Sequence, residues 1–322
     1  MNEVSHPEPL RRSGRALQCR PQLWGLFALA MVATGCGSTG NDLKDVAVTT
    51  PTVSSDELLA AAETDIAARR FQLAYQRLTR LDQAGLATPR AKLVSAEVLL
   101  GLSSPKEALA QFQTIQSDEV YRARAYQGMG LSLMALGDLT AAQPQLDRAV
   151  ADDPNLWRSW MALGRIDDAN KNWAASEAAY QKASALQPDS PIIVNNIGMS
   201  QMLQHRYEEA AETFQRALAI DPSMEMTRAN LRIALAWQGR YDEALMGAQI
   251  GSRADALNNV GYVAMLRGDQ LAAQKYFSQA LESSPTYHEH AARNMETLKL
   301  LAKSKAAAQT GTLPETPPQP VN

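Results

Sequence analysis

Residues 188–222 read PDSPIIVNNIGMSQMLQHRYEEAAETFQRALAIDP, and the rest of the chain is organised around this stretch. It begins and ends at a proline beside turn-forming residues, and the two prolines are 34 positions apart. Small and large residues inside it recur at the same interval earlier in the chain: Gly130, Gly164 and Gly198 in one series, and Leu146, Tyr180 and Phe214 in another. A fixed period of this length indicates a solenoid of stacked units without a single globular core.

Each unit contains two helical patterns with defined small and large positions. Counted from Pro191 as position 1, the stretch has Gly198 at position 8, Ala210 at position 20, Phe214 at position 24 and Pro222 at position 32. We expect the glycine and the alanine to face each other where the two helices cross, and the aromatic ring to fill the gap toward the next unit. The proline ends the second helix, because it lacks an amide donor and disfavours helix in the residue before it. This is the pattern of the tetratricopeptide repeat (TPR).

Seven such units follow one another, in frames that start at residues 55, 89, 123, 157, 191, 225 and 254. The frame at 225 is shorter than the others and has Arg228 and Arg232 where a large apolar residue and a glycine belong. We expect its second helix over residues 241–250. With a C-terminal capping helix, the sequence predicts an all-α TPR solenoid of residues 55–303 that forms a right-handed superhelix.

Sequence signals also mark the ends of this array. Ser54 with Glu57, and Thr286 with Glu289, have the spacing of capping boxes at helix starts. The final helix is expected to end at about Lys303. The polar residues 37–54 predict a flexible tether, and the Pro-, Thr- and Gln-rich residues 304–322 predict a disordered tail.

Residues 1–36 have the features of an export signal. Four arginines precede an apolar run over residues 23–33 that is too short to span a bilayer as a stable helix. Small residues and then Cys36 follow, and this resembles the bacterial lipobox, in which the cysteine is lipidated and begins the mature chain. An ordinary cleaved signal and a short membrane anchor are the alternatives.

Little in the sequence indicates chemistry. No P-loop, no G-x-S-x-G and no H-E-x-x-H motif is present, and the mature chain would contain Cys36 as its one cysteine. His205, His288 and His290 are predicted to be solvated surface residues, and Asp167-Asp168 reads as a surface or capping pair. The formal net charge of −3 gives no indication of a nucleic-acid partner. We therefore predict no enzyme, no metal, no cofactor and no small-molecule substrate.

The surface lined by the first helix of each unit is the remaining candidate for function. Side-chain amides on it can bond both the N–H and the C=O of an extended peptide, and methionines suit adaptable binding surfaces. The predicted peptide-binding groove consists of Asn195, Asn196, Met199, Met202, Met226, Asn230, Trp237, Asn258, Asn259 and Tyr262. Two alternatives stay open: the Asn-Asn-x-Gly run is simply favoured by the repeat, and some of the apolar residues belong to the core between repeats.

Residues 256–285 carry a narrower resemblance. They begin with ALNNVGYVAMLRGD and continue with Tyr276-Phe277 and Ser284-Pro285. This segment resembles the TadD family of TPR lipoproteins in the tight-adherence (Flp) pilus assembly system, as do the short unit before it and the lipobox. The resemblance implies an outer-membrane lipoprotein that faces the periplasm and binds protein partners. A secretin or another pilus component would be the partner, and support of secretin assembly or localisation the role.

Two other classes of protein remain alternatives to this family. One is a different TPR lipoprotein adaptor: a type IV pilus pilotin, a factor in outer-membrane protein assembly, or a regulator of cell-wall synthases. The other is a periplasmic enzyme with an unrecognised site.

Overall fold

The computed structural model describes residues 54–83, 88–248, 252–283 and 288–310, and every regular element in these ranges is an α-helix. The export signal with Cys36, the tether before Ser54, the Thr286 cap and residues 311–322 of the tail lie outside the described residues.

Fifteen helices follow one another in the described ranges. In chain order they are α1 Ser55–Ala67, α2 Phe71–Gln83, α3 Pro89–Gly101, α4 Pro105–Ile115, α5 Arg122–Ala135, α6 Leu139–Asp152, α7 Trp157–Ala169, α8 Trp173–Leu186, α9 Pro191–Leu203, α10 Tyr207–Ile220, α11 Glu225–Trp237, α12 Tyr241–Ala244, α13 Arg253–Leu266, α14 Gln270–Ser283 and α15 Glu289–Thr310. Each odd-numbered helix packs against the even-numbered helix that follows it, and α15 covers the last pair. The predicted all-α TPR solenoid of seven units and a capping helix is confirmed.

Several helices start at capping residues that can be recognised in the sequence. Ser54 and Glu57 form the predicted capping box, with the serine side chain accepting from the Glu57 amide and the glutamate accepting from the Ser54 amide. Pro89 and Pro191 each occupy the first turn of a helix, where a missing amide donor has no cost. The 34-residue period therefore sets the helix boundaries as well as the helix count.

The turn inside each unit places one residue in the left-handed region, always at position 15. These residues are Arg69, Ser103, Gly137, Lys171, His205, Gly239 and Gly268. In the unit of residues 191–224, the amide of His205 bonds the carbonyl of Met202 and the amide of Arg206 bonds that of Gln201. This is a Schellman motif, which satisfies the last carbonyls of a helix. Every first helix therefore ends in the same way, and the second helix returns along it.

Glycine at position 8 packs directly on the large residue at position 24 of its own unit. A Cβ atom on Gly198 would lie 2.6 Å from the ring of Phe214, and one on Gly164 would lie 2.9 Å from the ring of Tyr180. We expected this glycine to face the alanine at position 20 and the aromatic ring to point at the next unit. Both expectations hold in part: a Cβ on Gly130 would lie 3.3 Å from the carbonyl oxygen of Ala142, and Phe214 packs in one buried cluster with Ala234 and Leu235 of the next unit. The ring also occupies the space that the missing side chain of the glycine leaves.

The helices form two layers that differ in their packing. Each odd-numbered helix contacts the next odd-numbered helix, from α1 and α3 to α13 and α15. Within the described residues, the backbones of even-numbered helices make no comparable contact with one another, although side chains of α12 and α14 meet at Tyr241, Asp242 and Tyr276. The odd-numbered helices thus form one continuous surface, which we call the odd-helix surface.

Two elements differ from the predicted bounds. The second helix of the short unit, α12, ends at Ala244 and does not reach residue 250, and a turn follows in which Gly247 has a φ of 66°. At the other end of the array, α15 continues past Lys303 to Thr310. The residues after Lys303 are mostly alanine and lysine, which favour helix, and the first proline beyond them is Pro314.

Candidate binding surface on the odd-numbered helices

Asparagine side chains join the first helices of neighbouring units. The side-chain oxygen of Asn195 on α9 accepts hydrogen bonds from Thr227 Oγ1 at 3.0 Å and from Asn230 Nδ2 at 3.2 Å, both on α11. Both asparagines are half-buried. Two of the amides predicted to bind a peptide therefore bond each other, and they hold α9 against α11.

Asn258, predicted to line the groove, is buried and only 8% exposed. Its side-chain oxygen accepts a hydrogen bond from Asn294 Nδ2 at 3.1 Å, and its own Nδ2 lies 3.5 Å from Asn259 Oδ1. The reason is that α15 packs against α13 and covers this position. Asn258 therefore fastens the capping helix and does not face an open groove.

Met202 and Trp237 also lie between repeats. Both pack against the buried core around Phe214, and the indole of Trp237 stacks on Tyr207 with ring centroids 5.1 Å apart and planes 6° apart. Tyr262 is half-buried and packs against the last core cluster. For these three predicted groove residues, the alternative of core packing between repeats describes the structure better.

Four of the predicted residues remain at the surface. Met226 is 75% exposed, Met199 and Asn259 are exposed, and Asn196 is half-buried. An exposed methionine with no packing role is available to a ligand. The accessible part of the predicted groove is therefore smaller than the sequence indicated.

A pocket of about 200 Å³ opens on this surface between α11 and α13. Met226, Ile233 and Val260 supply apolar walls, and Arg232, Asn259 and the carboxylates of Glu225 and Asp255 supply polar groups. It brings together two residues of the predicted groove and one of the arginines that make the short unit unusual. Concave sites with apolar walls and a few polar groups are typical of binding sites.

Arg232 is the charged group of this pocket. It takes the place of the glycine at position 8, and its Nη2 donates to the carbonyl of Gly247 at 3.5 Å. Its Nε is buried and has no hydrogen-bond partner among the described residues. Partial burial lowers the pKa of Arg232, and the neighbouring charge of Arg228 lowers it further.

The two acidic side chains that line the pocket, Glu225 and Asp255, already have partners. Glu225 forms an ion pair with Arg228, which also donates to the carbonyl of Pro222. Asp255 Oδ1 lies 3.1 Å from Nε2 of His288. Neither carboxylate pairs directly with Arg232, although the charge of Glu225 opposes the lowering of its pKa.

A second polar group, around Asp168, was not predicted. Asp168 on α7 is 6% exposed, and its carboxylate accepts from Ser176 Oγ at 2.5 Å, Ser200 Oγ at 2.7 Å and Tyr180 OH at 2.9 Å. These bonds join α7, α8 and α9. Burial and the adjacent carboxylate raise the pKa of Tyr180. The assignment of Asp168 to the surface is therefore wrong. The sequence did contain a signal for this buried group, because the unit differs from the repeat pattern at two positions. It has Asp at position 12 and Ser at position 20.

His288 is likewise not a solvated surface residue. Its side chain is 10% exposed, and Nδ1 accepts a hydrogen bond from the amide of Ala291 in the first turn of α15. With Nδ1 as an acceptor, Nε2 donates to Asp255. Within the described residues, no group of three or more His, Cys, Asp or Glu side chains is arranged to hold a metal ion. None of the described helices combines the length and apolarity that crossing a membrane requires.

Comparison with known families identifies the repeats. Tetratricopeptide-repeat family profiles match residues 128–191, 167–225 and 254–287. The array is a TPR solenoid, and such a solenoid is typically a non-catalytic scaffold that binds other proteins. No curated protein sequence matches the chain significantly.

Solved structures show the same fold. The APC/C hetero-tetramer Cut9–Hcn1 aligns with a TM-score of 0.52 at 18% identity, over 78% of this chain and 57% of that chain. TTC0263, a TPR protein of Thermus thermophilus, aligns with a TM-score of 0.49 at 20% identity, over 60% of this chain and all of the other. The C-terminal part of a TPR protein from Cytophaga hutchinsonii has a TM-score of 0.48 at 17% identity, over 72% and 97% of the two chains. At 18% identity, the likeness to Cut9–Hcn1 supports the fold and gives no information on the partners of this chain.

Proposed function

We propose that this chain is a protein-binding scaffold that is anchored in the outer membrane through a lipidated Cys36 and faces the periplasm. There it supports the assembly or localisation of a secretin in a tight-adherence (Flp) pilus system. The observation that carries the binding role is the odd-helix surface, where Met226 and Asn259 stand exposed beside an open pocket. Stacked repeats of this kind provide extended surfaces for binding other proteins.

Two sequence features support the finer part of the proposal. The lipobox resemblance places a lipid anchor at Cys36, and the residue after it is glycine, without the aspartate that retains enteric lipoproteins at the inner membrane. Residues 256–285 carry the resemblance to the pilus-assembly family. Secretin binding is the partner role that this resemblance implies.

Metabolic labelling tests the anchor. Labelled palmitate should be incorporated into the wild-type protein and lost in Cys36→Ala, and the wild-type protein should fractionate with the outer membrane. Equal labelling of the two proteins would exclude lipidation at Cys36.

A deletion strain tests the partner. We expect secretin multimers and surface pili to be reduced on deletion and restored by the wild-type gene. Met226→Lys should restore them poorly, whereas Met246→Lys should restore them fully. Met246 is 72% exposed and forms no part of the pocket, so it is a matched control. Normal multimers and pili in the deletion strain would end the pilus proposal.

A further inference from the structure

The pocket between α11 and α13 has a feature that the other units lack. In the units of Gly130, Gly164, Gly198 and Gly261, position 8 is glycine and a large residue at position 24 packs on it. In the short unit, position 8 is Arg232 and position 24 is Ala248. The second helix ends at Ala244, and among the described residues of this unit no ring covers Arg232. The result is an open cavity with a guanidinium in its wall.

We propose that this pocket binds an Asp or Glu side chain within an apolar segment of the partner protein, and that Arg232 pairs with its carboxylate. This inference rests on the scaffold function proposed above, and it specifies the chemistry of the segment that the scaffold recognises.

The charge of Arg232 gives the first argument. Its Nε is buried without a hydrogen-bond partner among the described residues, and the carboxylates of Glu225 and Asp255 are paired with Arg228 and His288. A partly buried and incompletely paired guanidinium is unfavourable, and a carboxylate is its best partner because two parallel N–H groups can bind both oxygens. A ligand carboxylate would therefore bind more strongly than its neutral amide.

The walls give the second argument. Met226, Ile233 and Val260 are apolar, and the cavity of about 200 Å³ is large enough for one or two side chains, since a water molecule takes up about 30 Å³ in the liquid. An acidic group alone would leave these walls exposed to water. Apolar residues next to the acidic one would cover them.

The surface next to the pocket favours a ligand carboxylate from an internal Asp or Glu of the partner segment over one from a free C-terminus. Met199 and Leu203 are exposed on α9, which packs against α11, and Leu266 is exposed at the end of α13. A segment that crosses the odd-helix surface would contact both sets. Its acidic residue would then have apolar residues before and after it.

Peptide display on the full chain, purified in detergent, tests the proposal in two arms. One arm displays random decapeptides whose C-terminus is fused to the carrier, and the other displays random decapeptides with a free C-terminus. We expect the fused arm to select peptides with an internal Asp or Glu between apolar residues. For a selected peptide, Glu→Gln should lower the affinity at least tenfold on the wild-type protein, and Arg232→Met should lower it by a similar factor.

Matched variants separate the charge from the fold. Arg232→Lys should keep part of the preference for Glu over Gln, and Arg165→Met, which removes an exposed arginine from α7, should keep all of it. The Glu/Gln comparison on the wild-type protein needs no variant, so it holds even where Arg232→Met folds poorly.

Three results would overturn the proposal: equal affinity for the Glu and Gln peptides, selection only in the free C-terminal arm, or no selection in either arm. The secretin assay in cells measures the scaffold function without any peptide, so the failure of one proposal is distinguishable from the failure of the other.

Discussion

The unit that begins at Trp157 and the unit that begins at Glu225 both place a charged side chain where most repeats have an uncharged one. In the first, Asp168 on α7 is buried and accepts hydrogen bonds from three hydroxyl groups on α8 and α9. In the second, Arg232 lies beside a helix that ends after four residues, and its Nε has no partner among the described residues.

The difference lies in whether the sequence supplies partners. The Asp168 unit changes position 20 to serine and keeps a tyrosine at position 24, so the carboxylate is satisfied and ties three helices together. The Arg232 unit loses its position-24 ring, and its carboxylate at the pocket, Glu225, pairs with Arg228 and not with Arg232. A buried charge with partners serves the fold, whereas a charge without them costs stability and is available to a ligand.

The largest effect is expected for Asp168→Ala. It leaves the hydroxyl groups of Ser176, Tyr180 and Ser200 without their shared acceptor, so the free energy of unfolding should fall by about 3 kcal/mol. Urea unfolding followed by circular dichroism measures this. Asp167→Ala, at the half-buried neighbour, should change the free energy by less than about 0.5 kcal/mol. Equal losses for the two variants would show that the Asp168 hydrogen bonds contribute little.

Most of the fold was predictable because the helix boundaries of each repeat depend on residues that are close in sequence. Pro191, Gly198, Phe214 and their counterparts recur every 34 residues, and each acts on its own helix or the adjoining one. The end of α12 was missed because an isolated glycine is also tolerated inside a helix, so residues 245–248 read as a continuing helix, whereas Gly247 takes a φ of 66° and forms the turn.

The candidate site was predictable only in part. The sequence placed Met226 and Asn259 on the odd-helix surface, where the structure also has them, because that surface follows from position within the unit. It could not show that Asn258 is covered by α15, or that Asp168 meets Ser200 from another unit. These contacts join residues 36 and 32 positions apart, and they depend on how neighbouring units stack.

A smaller effect is expected for Asn258→Ala. The change leaves the buried amide of Asn294 without its acceptor, so the free energy of unfolding should fall by about 1–2 kcal/mol. Amide hydrogen exchange should speed up chiefly in α15, because this bond fastens the capping helix. Asn259→Ala, at the exposed neighbour, should leave the exchange of α15 unchanged. Faster exchange throughout the array, and not in α15 first, would contradict the assigned role.

The hydroxyl of Tyr180 gives a pH-dependent effect. Tyr180→Phe should lower the free energy of unfolding by about 1 kcal/mol at neutral pH. Because the folded state raises the pKa of Tyr180 above 10, the unfolded state loses the phenol proton first as the pH rises. The stability from this hydroxyl is thus complete below pH 10 and decreases above it. The difference between wild type and variant should therefore shrink above pH 10 in urea unfolding. A difference that stays constant up to pH 11.5 would mean that Tyr180 is not held protonated.

The smallest effect on stability is expected for Arg232→Met. A small effect here would distinguish Arg232 from Asp168, whose replacement is expected to destabilise the fold. Methionine keeps an unbranched apolar stem like that of arginine and removes a partly buried charge that lacks a full set of partners. Replacing such a charge by an apolar side chain of similar volume is often neutral or stabilising. The free energy of unfolding should therefore stay within about 0.5 kcal/mol of the wild type or rise, whereas Asp168→Ala lowers it by several times that amount. A loss of 2 kcal/mol or more would show that Arg232 is a structural residue like Asp168, and it would remove the reason to expect a ligand carboxylate beside it.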